Sequence, residues 1–189
     1  MKTFAAAASC LLAMGVVQAE TVDYAIDPTH TFVNFEFSHF GTSTSRGRWD
    51  KKDGTVHLDR AARTGSVELT IDMNSINTGL PPFDRQLKNK DFFNIAEYPT
   101  AKFVANDFVF AGDQVTAVEG TLTLLGKSHP VTLKAKRFGC YTNPIFRREV
   151  CGGDFEATLQ RSLWGFAYGL PEIAPDAVRL VIQVEAIRQ

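Results

Sequence analysis

The chain has 189 residues, with 20 Lys and Arg against 21 Asp and Glu and four His. Charges this balanced, with both signs interspersed along the chain, argue against nucleic acid or an anionic membrane surface as the main partner. The length suits a single domain whose core needs neither a metal nor a disulfide to fold.

The first segment reads as a cleavable export signal. Lys2 supplies a positive start, Phe4 to Val17 is almost wholly apolar or small, and Val17-Gln18-Ala19 fits a small-x-small cleavage site. Cleavage after Ala19 leaves residues 20–189 as the mature domain, with a formal charge of −2 once Lys2 is lost from the 20 basic residues. The apolar run is shorter than the ~20 residues a membrane-spanning helix needs, so a soluble periplasmic protein is expected. Cys10 falls within the discarded segment.

In Thr31 to Ser38, Val33, Phe35 and Phe37 alternate with Asn34, Glu36 and Ser38, which marks a half-buried strand with aromatics inside. Val67, Leu69, Ile71 and Met73 repeat the pattern. From Pro81 to Ala96 it breaks, and the Phe83 to Leu87 spacing predicts a short helical insertion near 83–95, with Asp91 capping its second turn and Phe92 and Phe93 beneath. Ala101, Phe103 and Ala105 alternate again, and Phe108 and Phe110 approach a turn at Gly112-Asp113. Val118 to Leu124 and Val131 to Ala135 flank a second turn at Gly126-Lys127. Phe155 to Gln160 and Ala177 to Ile187 give two more strands. Between them and the preceding hairpin, Tyr141 to Val150 reads as an irregular loop between Cys140 and Cys151. In an exported protein these two cysteines suit a disulfide, since a redox pair favours the Cys-x-x-Cys spacing. About eight antiparallel strands with one short helix and no βαβ rhythm predict an all-β, lipocalin-like barrel that either holds one small ligand or is filled by side chains.

The residues Tyr24-x-Ile26-Asp27-x-x-His30-Thr31, Phe35-x-x-Ser38-His39, Gly47, Ile76-x-Thr78-Gly79, Asp84-x-x-Leu87, Asp91-Phe92-Phe93, Tyr98-Pro99-x-x-Phe103, Gly120-x-Leu122-Thr123-x-x-Gly126, Pro130-Val131-x-Leu133 and Arg161-Ser162 resemble the YceI-like family over the whole mature chain. The resemblance implies a periplasmic or secreted lipocalin-like barrel that binds polyisoprenoids or related long-chain amphiphiles. The chain departs from the family where Phe83 and Gln86 replace an Arg and a His, and where Leu163-Trp164 replaces Asp-Phe. Those changes imply a less charged or differently shaped lipid head.

A tunnel for such a ligand draws on Phe35, Phe37, Val67, Leu69, Phe92, Phe93, Phe103, Leu122, Leu133, Leu180 and Ile182. The plainer reading is that these side chains simply fill the core. His39, Trp49, Asp84, Arg85, Arg161 and Trp164 are the candidates for a polar mouth, where Arg161 either binds a phosphate or pairs with Asp84 or Asp91. A bound lipid is the expected ligand, with no other cofactor and no metal. An enzyme is the weaker reading, because the four His are scattered and no nucleophile elbow or phosphate loop is present. A third reading is an interaction module docking on a membrane redox partner, and edge pairing of strands allows a homodimer.

Overall fold

A computed structural model describes residues 21–189, and the expected signal segment lies outside the described residues. Eleven antiparallel strands form one sheet: β1 (Val22–Ile26), β2 (Phe32–His39), β3 (Ser43–Trp49), β4 (Lys52–Asp59), β5 (Thr64–Asp72), β6 (Ile76–Asn77), β7 (Thr100–Ala111), β8 (Gln114–Leu124), β9 (Lys127–Thr142), β10 (Glu149–Gln160) and β11 (Ala177–Arg188). Three pairs of these are single long staves with an interruption. β1 runs into β2, β3 into β4, and β5 into β6 across the tight helical turn Met73–Ser75. The result is an eight-stave meander, and the last stave returns to the first because β11 pairs with both β1 and β2. The expected closed antiparallel barrel with one short helix is the observed fold. No helix among the described residues is long and apolar enough to cross a membrane.

The interruption between β1 and β2 is built from the Asp27-x-x-His30-Thr31 motif. Asp27 accepts from the Thr29 amide and pairs with His30 Nδ1, both at 2.8 Å. Buried Thr31 then fills the gap in the ladder, its hydroxyl exchanging bonds with the Glu185 carbonyl and amide at 3.2 Å.

Inward and outward positions follow the alternation of the sequence and change phase at bulges. On β7, Ala101, Phe103 and Ala105 face in, the register slips between Ala105 and Asp107, and Phe108 and Phe110 take over the inward role. The register also shifts on β10 between Asp154 and Phe155, opposite the point on β9 where Phe138 replaces Ala135 in the inward series. One extra residue in a strand rotates everything beyond it to the other face, which keeps the apolar set inside a strongly coiled wall.

Strands β1, β3 and β4 carry no clear signal in the sequence. On β3 the inward positions are Ser45, Gly47 and Trp49, and two of the three are too small to mark an apolar face. The missing volume at Gly47 is supplied from across the ladder by Phe35, whose ring end occupies the place where a Cβ would sit.

Two sequence expectations are corrected. The helix, α1 (Pro81–Leu87), starts earlier and is shorter than 83–95, and Asp91 caps no helix. Pro81 and Pro82 occupy its first turn, where a missing amide costs nothing; beyond Leu87 the chain folds into turns, with the Phe92 amide on the Asn89 carbonyl and the Phe93 amide on the Leu87 carbonyl. The segment 141–150 is also less irregular than expected. Its ladder runs on to Thr142 and resumes at Glu149, leaving a turn of residues 143–148.

The two ends of the barrel differ. The upper end carries the β2–β3 turn, the long segment 78–99 with α1, the turn at 125–126 and the segment 161–176. The lower end carries the short turns 60–63, 112–113 and 143–148.

Candidate functional site, an apolar cavity

The inward stripes of the staves leave space at the middle and lower part of the barrel. This cavity offers about 120 Å³ to the centre of a water-sized sphere. Val67, Leu69, Phe103, Leu122, Leu133, Leu180 and Ile182, all expected to line a tunnel, line it. Val33, Ile71, Val118, Val131, Phe155 and Val184 join them from positions that the same alternation predicts to face inward. Tyr24, Ile26, Val56, Leu58, Phe138 and Cys151 complete the lower wall. These come from strands or strand ends whose periodicity is too short or too diluted by Gly to mark them.

Phe35, Phe37, Phe92 and Phe93 stand elsewhere, in an aromatic cluster that stops the upper end. Phe35 stacks on Phe37 at 6.3 Å and lies 5.0 Å from Trp49; Trp49 meets Phe93 edge-on at 5.8 Å. Phe166 contacts both Phe92 and Phe93, and Tyr168 covers Phe92 at 4.8 Å. Such offset and edge-to-face pairs add about 0.5–1.5 kcal/mol each beyond area burial. Phe166 and Tyr168 lie in a non-periodic loop, so no sequence pattern points to them.

The polar candidates for a mouth separate into different jobs. Arg161 is buried, and its guanidinium donates to the carbonyls of Pro175 (3.0 Å), Phe166 (3.2 Å), Tyr168 (2.9 Å) and Ala174 (3.1 Å), while lying 5.0 Å over the Phe166 ring. It reaches neither Asp84 nor Asp91, and its donors tie down the segment that carries Phe166 and Tyr168 of the aromatic stopper. Burial pulls its pKa below the ordinary guanidinium value, with the charge of Asp176 opposing. Asp176 itself accepts from the Ser162 amide and hydroxyl, at 2.7 and 2.6 Å. Asp84 accepts from the amide and hydroxyl of Thr78, both at 2.7 Å, and so fixes the entry to α1. Arg85 and His39 are exposed on the upper rim.

Trp164 closes a seam in the wall. β9 and β10 pair only as far as Lys134 and Glu156, and beyond that point they part. Trp164 is 2% exposed, with its indole N–H on the Leu122 carbonyl at 3.1 Å and His129 edge-on at 5.0 Å. Trp49 is the exception to this satisfied pattern. Among the described residues its Nε1 is the one buried side-chain nitrogen or oxygen without a hydrogen-bond partner.

The lower end is closed by polar and covalent links. The Tyr24 hydroxyl donates to Glu149 Oε1, and burial, followed by that bond and the charge of Glu149, pushes the phenol up to about 12. Cys140 and Cys151, directly opposite on β9 and β10, form the expected disulfide.

The YceI-like domain profile matches residues 24–186. A UPF0312 protein of Pseudomonas aeruginosa is 36% identical over 193 residues, covering 100% of this chain and 98% of its own. Protein YceI of Salmonella arizonae is 32% identical over 185 residues, covering 96% and 94%. Among solved structures, Burkholderia cenocepacia BcnA superposes with a TM-score of 0.70 at 25% identity, over 85% of this chain and 98% of that one. A polyisoprenoid binding domain from Saccharophagus degradans, implicated in plant cell wall breakdown, gives 0.66 at 18% identity over 89% and 99%, a likeness of fold. Barrel, motifs and matches agree: the chain belongs to the YceI-like family.

Proposed function

We propose that this protein is exported to the periplasm and sequesters or carries a long-chain isoprenoid, polyprenyl or quinone-like, or a related fatty amphiphile, in the barrel interior. The observation that carries the reading is the cavity, whose wall is apolar from Leu180 and Phe103 down to Leu58. At 10–15 Å³ of such space per water-sized group, it holds about 8–12 groups of methylene size without any side chain moving. Burying ten methylenes gains roughly 8 kcal/mol at ~0.8 kcal/mol each, against association costs of about 4–15 kcal/mol. A short chain therefore binds weakly, and useful affinity requires a longer tail or a held head group. The unpartnered indole N–H of Trp49 is the donor we assign to an oxygen of that head.

Binding rather than catalysis is supported by where the titratable groups lie. His30 pairs with Asp27, His57 pairs with Asp23, His129 bonds the Leu163 carbonyl and His39 is on the rim. Tyr24 is the one titratable side chain in the cavity wall, and its proton is held by Glu149.

The test is a tryptophan-quenching titration with a long polyprenol and with geraniol, on the parent protein and on Leu122→Glu. Binding of the polyprenol but not geraniol, lost in the variant while the thermal melt stays cooperative, is the expected result. A parent protein that takes up neither alcohol would overturn the reading in favour of a filled core.

A further inference from the structure

Charges that are interspersed along the chain are not interspersed on the fold. The meander carries Arg60 and Arg63 on the β4–β5 turn, Arg147 and Arg148 on the β9–β10 turn, and Arg188 at the end of β11 to the lower rim, and all five are exposed. Two contacts link the three elements. Arg60 lies 3.9 Å from Glu149 at the foot of the β9–β10 turn, and Arg148 Nη1 reaches the Arg188 carbonyl at 3.4 Å. The carboxylates of this end are largely committed: Glu149 to Tyr24 and Arg60, buried Asp59 to the Ala62 amide, and Asp23 to His57. Asp113 stands on the separate β7–β8 turn. Among the described residues, Arg63, Arg147, Arg148 and Arg188 have no carboxylate partner within ion-pair distance.

From this basic rim the β9–β10 turn projects an apolar tip. Ile145 is 88% exposed, the highest value among the exposed large hydrophobic residues, and Phe146 beside it is 39% exposed with Arg148 5.7 Å over its ring. The tip is a built conformation. Asn143 accepts from the Ile145 amide at 2.9 Å and exchanges backbone bonds with Arg147 and Arg148, and the Cys140–Cys151 disulfide clamps the strands just below.

An exposed isoleucine and phenylalanine on a rim that carries arginines free of carboxylate partners match a surface that offers anionic phosphates above an apolar layer. We propose that the lower rim docks on an anionic lipid bilayer, with Ile145 and Phe146 entering the interface and Arg63, Arg147, Arg148 and Arg188 meeting lipid phosphates. The cavity wall of Tyr24, Leu58 and Cys151 then lies just inside the docked end. The docking does not depend on the barrel carrying a lipid, so either reading can fail alone.

The experiment is co-sedimentation of the mature, disulfide-bonded protein with vesicles of phosphatidylethanolamine and phosphatidylglycerol, and with vesicles of phosphatidylcholine alone. Preferential binding to the anionic vesicles, weakened by salt, is expected. Ile145→Ser with Phe146→Ser, and separately Arg147→Gln with Arg148→Gln, should each weaken it at least tenfold without moving the thermal melt. An upper-rim control, Phe40→Ser, should leave it unchanged. No binding to anionic vesicles overturns the proposal, as does binding that the tip and arginine variants leave intact. A tip variant that changes the oligomeric state without changing vesicle binding would assign the surface to a second copy of the chain instead.

Discussion

The two ends of this barrel are closed by opposite means. The upper end is stopped by aromatic rings brought from β2, β3, the segment after α1 and the loop 161–176, the last of these tied down by one buried arginine. The lower end is stopped by short turns, a cross-strand disulfide and the Tyr24–Glu149–Arg60 chain. The upper end rests on side-chain packing between segments distant in sequence, with no covalent tie across it. An end built on local and covalent links stays shut, and this is the physical reason to place the ligand's head near Trp49 rather than near Tyr24.

The contrast is broken most severely at Arg161. Arg161→Ala leaves four carbonyls without their donor and a hole beneath Phe166, and hydrogen bonds to a charged group are worth about 1.5–3 kcal/mol each. A destabilisation above about 3 kcal/mol in urea is expected, with amide exchange rising in 161–176 and 88–99 before it rises in the β9–β10 ladder. Uniform exchange would show that the two ends are not separate units. Removing the disulfide with Cys140→Ser and Cys151→Ser comes next. The two positions are 11 apart in sequence, and closing so short a loop contributes up to about 3 kcal/mol. Stability should fall by that amount while polyprenol affinity is unchanged, and an equal loss of affinity would place the binding region lower than proposed.

Trp49→Phe probes the upper end more gently. It removes an unpartnered buried N–H, so stability should change by less than about 1 kcal/mol in either direction. Affinity for a polyprenol should drop several-fold, whereas a hydrocarbon of equal length should bind the variant and the parent alike. The smallest effect is at Tyr24. Its phenol is raised from 10.0 to about 12 in the folded protein, so the native state holds a proton that the unfolded chain releases. Stability from this group is complete below pH about 10 and is lost as the pH rises toward 12. Tyr24→Phe should flatten the stability profile in that window, and an unchanged slope would mean that folding does not raise the phenol.

Much of the barrel can be read in the sequence because its walls alternate cleanly where inward residues are large. Phe155, Ala157 and Leu159, or Leu180 and Ile182, leave no doubt about facing, and all five are buried. The alternation fails where the inside is lined by small residues, as on β3, since the space at Gly47 is filled by Phe35 from the neighbouring strand and a local pattern cannot show that. The division of the Phe residues between cavity and stopper is equally hidden. Phe35 and Val33 share one stripe, yet Val33 lines the cavity and Phe35 joins the cluster, because only their height on the barrel differs. Arg161 and Asp84 are legible as special positions from their motifs, but the groups they serve belong to loops with no periodic signature. The basic lower rim is a property of the closed meander, which gathers arginines from three separate parts of the chain.

The most direct test of the lipid-carrying barrel is native mass spectrometry of protein purified from the exported fraction, with organic extraction and identification of any bound compound. A stoichiometric prenyl or long-chain acyl compound, absent from Leu122→Glu purified in the same way, is the result expected. Protein that leaves the cell empty and also fails to take up added isoprenoids would contradict it.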